Sequence, residues 1–202
     1  MEMNTKAMFK LSYGLFVCTA VRNGKANGCI INTAVQVASE PNRISIAVNK
    51  ANYTHDMILE TGQCNISVIS NDADFALFKH FGFQSGRDVD KFADYEHYAI
   101  AANGVAYLTK YANAYISLKV FDVVDMGSHW MFLCNITESV VLNNVETMTY
   151  SFYQKNVKPK PETEKKGWVC DICGYVYEGE ELPEDFICPL CKHPASDFSK
   201  LE

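Results

Sequence analysis

W-V-C-D-I-C-G-Y-V-Y-E-G-E-E-L-P-E-D-F-I-C-P-L-C, residues 168–191, carries four thiols as two Cys-x-x-Cys pairs, Cys170 with Cys173 and Cys188 with Cys191, fourteen residues apart. Each pair suits a tight knuckle that offers two sulfurs, and two knuckles complete the tetrahedron of one metal ion. The segment from Gly167 to Glu202 is shorter than the ~40 residues that usually bury a stable core unaided, so a metal crosslink gives it a reason to fold. Iron and zinc both accept such a donor set. Two disulfides would also use four cysteines, but Met1–Lys10 is polar and no apolar run of a secretory signal follows it. The thiols therefore read as reduced, in a cytoplasmic protein.

Immediately upstream, N-V-K-P-K-P-E-T-E-K-K over residues 156–166 is charged, poor in apolar residues and twice interrupted by proline. This is the composition of an extended linker, reaching up to roughly 3.1 Å per residue. The chain of 202 residues thus divides into a large domain over 1–155, a linker over 156–166 and a small domain over 167–202. The net charge of −6 is concentrated in the last of these, where two lysines face eight Asp or Glu. Such a field disfavours nucleic acid and suits either a basic docking surface on a protein partner or a solvated acidic face. No run of ~18 apolar residues is present to cross a bilayer.

The large domain reads as mainly β. Tyr13–Arg22 is apolar and β-branched, Asn23-Gly24-Lys25 supplies turn residues, and Ala26–Ala38 resumes a strand pattern, the marks of a hairpin. After a break at Pro41-Asn42, Arg43–Asn49 alternates polar with apolar, which directs Ile44, Ile46 and Val48 to a core. Thr54 is placed to cap a short helix that stops at Gly62; Cys64–Ser70 alternates again, and Asp72 or Asp74 can cap a helix toward His80. Gly82–Asn113 reads as a cleft wall. Two long strands, Ala114–Val124 and His129–Val141, meet at Asp125–Ser128. Many antiparallel strands with short helices indicate a barrel rather than a parallel sheet.

Cys18, Cys29, Cys64 and Cys134 lie in apolar strands and read as small core residues. The five histidines show no ligand spacing; His55 and His80 suit plain hydrogen bonding. Tyr150 and Tyr153 can stack on a ligand ring or close the barrel. A lone metal–thiolate centre exchanges one electron at a time. If its donor is a nicotinamide, which delivers two electrons as hydride, a flavin is the usual group that accepts the pair and releases it singly. The chain has neither G-x-G-x-x-G after a strand nor a lysine-bearing phosphate loop, so any flavin is bound by other means.

C-G-Y-V-Y after the first knuckle and C-P-L-C at the second resemble rubredoxin, and C-P-L-C-K-H-P is similar to the rubredoxin-like module of rubrerythrins. The resemblance implies one iron held by Cys170, Cys173, Cys188 and Cys191. Gly174 stands where a positive φ is expected; Lys192 replaces the usual glycine at the matching place. In the large domain, N-G-C-I-I-N-T-A-V-Q-V-A-S-E-P from Asn27 to Pro41 and N-K-A-N-Y-T-H-D-M-I from Asn49 to Ile58 resemble the flavin reductase-like family. That family implies a split β-barrel that binds FMN or FAD, commonly as a homodimer with the flavin near the interface. The resemblance places Thr33, Gln36 and the backbone of Ala34, Val35 and Val37 at the ring, Asn49, Lys50, Ala51, Asn52 and Thr54 at the ribityl phosphate, and Asn27 among the cofactor-binding residues. Arg87, with Lys91 nearby, would add a second cationic contact.

The whole arrangement resembles the high-molecular-weight rubredoxins. It implies an NAD(P)H-dependent flavoprotein oxidoreductase that passes electrons through FMN to the iron and on to a partner such as a flavodiiron oxygen or nitric oxide reductase. Glu178, Glu180, Glu181, Glu184 and Asp185 would form part of the docking face. No catalytic side chain is assigned, because hydride transfer needs no protein nucleophile. The rival readings are a flavin or ferric reductase with a structural zinc ribbon, and a non-catalytic binding module.

Overall fold

The computed structural model describes residues 5–159, 167–190 and 192–201, so Cys191 and most of the linker lie outside the described residues. Strands β1 (Phe16–Arg22) and β2 (Lys25–Ile31) form the expected hairpin. Asn23 and Gly24 both have positive φ, 52° and 76°, which matches the right-handed twist of the strands they join. The second run is broken, however. Asn32-Thr33 separates β2 from β3 (Ala34–Ser39), because β3 leaves β1 and pairs with β4 (Asn42–Asn49). Only the two polar residues Asn32 and Thr33 interrupt the strand-like run, too little to signal a change of partner.

Alternation in β4 puts Ile44, Ile46 and Val48 in the core, as their period of two requires. Helix α1 (Tyr53–Thr61) has its cap two residues before the expected one: Asn52 occupies the N-cap, while Thr54 is buried inside the first turn. Gly62 ends it with φ of 67°, a conformation that costs an L-residue about 1 kcal/mol. Strand β5 (Gln63–Ile69) leads to helix α2 (Phe75–Gly82), capped by Asp74, whose carboxylate accepts from the Leu77 N–H. A small hairpin, β6 (Tyr98–Ile100) with β7 (Ala106–Leu108), precedes the long pair β8 (Ala112–Asp125) and β9 (His129–Val141).

The strand order β2-β1-β5-β8-β9-β4-β3 makes one antiparallel sheet, and register shifts in β8–β9 help it curl. Its inner face encloses Cys18, Cys29, Cys64, Cys134, Ile46, Leu118 and Phe132, plugged by Met57 and Ile58 of α1. A second core lies on the outer face, where Leu77, Phe78 and Phe81 of α2 cover Val17 and Ile69. The curled sheet is split. Its two end strands, β2 and β3, are consecutive in sequence, and the Asn32-Thr33 joint between them marks the opening.

The tail forms its own three-stranded sheet from β10 (Gly167–Cys170), β11 (Val176–Tyr177) and β12 (Phe198–Leu201), around Cys170, Cys173, Cys188 and Phe198. No helix among the described residues is long and apolar enough to cross a membrane.

Candidate functional site

A cavity of about 850 Å³ opens at the split, within the size range of small-molecule and cofactor sites. Asn27, Thr33, Asn49, Ala51, Asn52, Thr54 and Arg87 all line it. The edge of β2 brings Asn27, the joint brings Thr33, the end of β4 with the start of α1 brings Asn49, Ala51, Asn52 and Thr54, and the loop after α2 brings Arg87. Asn27 is 4% exposed; its amide donates to Thr54 Oγ1 at 2.9 Å, and its Oδ1 has no partner among the described residues. A buried acceptor left open on a cavity wall is fitted to a ligand donor. The loop from Ser85 to Arg87 crosses close above it, and Gly86 is required there because a Cβ would overlap the Asn27 amide.

Ala34, Val35, Gln36, Val37 and Lys50 do not line this cavity. Val35 and Val37 are 56% and 54% exposed on edge strand β3, and Gln36 donates to Asn42 Oδ1 at 3.2 Å. Lys50 donates to Asp125 at 2.7 Å, captured by the β8–β9 turn, whose Ser128 carbonyl also accepts from the Lys50 N–H. The Thr33 hydroxyl is committed to the Ala47 carbonyl at 2.7 Å, so Thr33 shapes the joint as well as the wall.

Two cations of the barrel domain line the cavity, Arg87 and Lys91. Arg87 pairs with Asp56 and lies 5.1 Å from the Tyr53 ring centroid. Burial opposes the Asp56 charge, but hydrogen bonds from His55 and Arg87 outweigh it and hold the carboxyl below its usual pKa. Lys91 is 3% exposed, donates to the carbonyls of Gly28 and Phe81 at 2.8 and 2.9 Å, and forms no ion pair among the described residues. Burial lowers its pKa to about 8. His55 bonds Asp56 through Nδ1, and His80 Nε2 donates to the Lys91 carbonyl, so both are hydrogen-bonding residues. Cys29 is pushed up to about 12 by burial, and Cys64 is raised by its thiol neighbours Cys134 and Cys18 and by burial; neither is a nucleophile at neutral pH. Tyr150 and Tyr153 line the cavity and stack on each other at 6.2 Å.

The far wall is built by the tail. Ile172 from the first knuckle and Pro189, Leu190, Lys192 and His193 from the second close the cavity opposite the barrel residues. The knuckles repeat one geometry. Gly174 N–H donates to the Cys170 carbonyl and Lys192 N–H to the Cys188 carbonyl, both at 2.9 Å; Cys170 N–H reaches Tyr175 O and Cys188 N–H reaches His193 O, both at 2.8 Å. Gly174 has φ of 81° and Lys192 of 62°, so lysine holds a conformation that favours glycine. The sulfurs of Cys170, Cys173 and Cys188 lie within 4.8 Å of one another and are buried, which fits a thiophilic ion. The tail's share of the wall had no local signal in the sequence, since it depends on how the two domains meet.

The flavin reductase like domain family matches residues 8–160, and the rubrerythrin, rubredoxin-like domain family matches residues 168–199. High molecular weight rubredoxin of Moorella thermoacetica is 34% identical, over 98% of this chain and 100% of its own. The ferric-chelate reductase (NAD(P)H) of Archaeoglobus fulgidus is also 34% identical, over 78% of this chain and 93% of its own. Among solved structures, the NADH:FAD oxidoreductase SgcE6 of Streptomyces globisporus superposes with a TM-score of 0.65 at 19% identity, over 73% of this chain and 86% of that one, a likeness of fold. These families imply a flavin in the split barrel and an iron in the thiolate cage, and the cavity and the sulfur cluster fit them.

Proposed function

The chain belongs to the flavin reductase-like family and carries a rubredoxin-like domain behind it, and from that premise we propose that it moves electrons in the cytoplasm from NAD(P)H to a partner protein, through FMN and then iron. It is an NAD(P)H-dependent flavoprotein oxidoreductase. The observation that carries the proposal is the wall shared by the cavity and both metal knuckles. Bound flavin supplies the conversion of a hydride pair into single electrons, and the iron supplies a one-electron exit.

The protein's own residues bind and orient. Asn27 Oδ1 would accept from a donor of the bound flavin, the start of α1 at Tyr53 and Thr54 would offer backbone N–H groups to its phosphate, and Arg87 and Lys91 would add positive charge. Asn49 and Ala51 shape the same corner, and Ala51 N–H is held by Asn49 Oδ1 at 2.8 Å. Cys170, Cys173, Cys188 and Cys191 would hold the iron. The division into residues 1–155, 156–166 and 167–202 belongs to the same proposal; a helical turn runs on through Val157, two residues past the proposed end of the first domain.

Lys91 gives this site a pH dependence. An anionic ligand is held more tightly while the amine is protonated, so flavin affinity is greatest below pH ~8 and falls above it, by up to about tenfold per unit until the bound-state pKa is passed. Flavin titrations from pH 6 to pH 10 check this, and Lys91→Met removes the slope.

Exposed Val35 and Val37 on the edge strand β3 suit burial against a second copy, which would return Ala34–Val37 to a dimer-borne flavin site. Val35→Asp is expected to halve the mass seen by light scattering. An unchanged mass would place the interface elsewhere.

For the partner, the exposed acids Glu178, Glu180, Glu181, Glu184 and Asp185 lie off the cavity wall and offer a docking face to a basic surface, as a flavodiiron-type acceptor would need. The ferric-chelate reductase relative favours a second reading, in which the barrel alone reduces soluble acceptors. Truncation before Gly167 separates the two. The relay predicts loss of at least about 10²-fold in partner reduction with ferric-chelate reduction retained; equal turnover with every acceptor would support the second reading.

A further inference from the structure

Among the described residues, the tail meets the rest of its chain at places that include three clear contacts. Its knuckles wall the cavity, Phe83 at the end of α2 packs into the cluster around Cys170, Cys173 and Cys188, and Lys158 reaches the first knuckle. The third contact is the most specific. The Lys158 ammonium donates to the backbone carbonyl of Asp171 and, at 3.5 Å, to that of Cys170. A Cβ on Gly174 would lie 3.4 Å from Lys158 Cε and 3.5 Å from the Pro159 carbonyl, so the knuckle sits directly on the segment that leads toward it. Lys158 is itself fixed: its N–H donates to the Tyr153 carbonyl at 2.8 Å, and Tyr153 is a cavity wall residue packed on Phe78 at 4.4 Å. A chain of contacts, Tyr153 to Lys158 to Asp171, therefore registers the thiolate cage against the cavity.

We propose that the tail works docked in cis, taking electrons from the cavity of its own chain, and that Lys158 is the positioning residue that holds it there. This rests on the flavin-and-iron reading above. The balance is simple: each NAD(P)H oxidised delivers two electrons and releases one proton overall, and the electrons leave in two ferric-to-ferrous cycles, each reducing one equivalent of a one-electron acceptor. Transfer between centres falls steeply with their separation, so register matters. An ammonium beside the cage also favours its more negative, ferrous form.

Lys158→Met tests both roles, and Lys158→Arg is the conservative control. In redox titrations of the full protein followed at the iron–thiolate band, the Met variant is expected to show a lower iron midpoint potential and the Arg variant a wild-type one. After rapid mixing with NADH, the Met variant should bleach its flavin at the wild-type rate and its iron about tenfold more slowly, because the linker keeps the tail near while its orientation is lost. An unchanged potential together with unchanged iron bleaching overturns the docking.

Co-expression of a Cys188→Ser chain, lacking iron, with a Gly86→Ala chain, freed of its weakly held flavin by dialysis and checked for flavin content, decides between one chain and two. Under cis transfer the iron of the mixture stays ferric after NADH; bleaching would overturn the proposal. If wild-type iron itself stays ferric while its flavin bleaches, the relay fails, and the potential of Lys158→Met still reports on docking by itself.

Discussion

Gly86→Ala empties the flavin site. The added methyl overlaps the Asn27 amide, and the Ser85–Arg87 loop sits over a side chain that cannot retreat, because Asn27 is buried and bonded to Thr54. Either the Asn27–Thr54 bond breaks or the loop lifts and carries Arg87 off Asp56. Both outcomes dismantle the cavity wall without touching the inner core of the barrel. Flavin affinity is expected to fall by at least about tenfold, or ~1.4 kcal/mol, and with it NAD(P)H oxidation. Thermal unfolding of the apoprotein should move by only a few degrees, since loop substitutions away from the core change stability little. Flavin content equal to wild type would show that Asn27 and its covering loop stand apart from the flavin.

Zinc in place of iron leaves the tail folded and stops the relay. The thiolates of Cys170, Cys173 and Cys188 converge without regard to which tetrahedral ion they hold, and the two knuckles close through their own backbone hydrogen bonds. Zinc has no second oxidation state to offer, so reduction of a one-electron partner should fall at least about 10³-fold, the residue coming from direct reaction at the cavity. Cys188→Ser differs, because a small domain stripped of its metal also loses its fold. Comparing the zinc form with Cys188→Ser by hydrogen exchange over residues 167–190 separates the ion's structural role from its redox role. Full partner reduction by zinc protein would mean that the tail is an ornament.

Local patterns made much of this molecule readable before any coordinates. Alternation in β4, the Asn23-Gly24 turn, the αL cap at Gly62 and the paired knuckles each follow from a few adjacent residues. What stayed hidden depends on distant chain. Thr54 looks like a cap, yet Asn27 draws it into the interior and leaves Asn52 at the helix start. Lys50 sits in the phosphate block of the family pattern but is held by Asp125, a carboxylate from the far end of the long hairpin. Nothing near Asn32 or Thr33 announces that a strand changes partners there, although the cavity exists because it does. Lys91 and the tail's wall residues belong to the same class, since their burial and placement come from packing between elements remote in sequence.

The most direct measurement is an absorption record of the purified, iron-containing protein mixed anaerobically with NADH. The relay predicts separate flavin and iron–thiolate bands, both lost within the time of one turnover, with the iron bleaching after the flavin and at a rate independent of protein concentration. A flavin that bleaches beside an iron band that persists would contradict it.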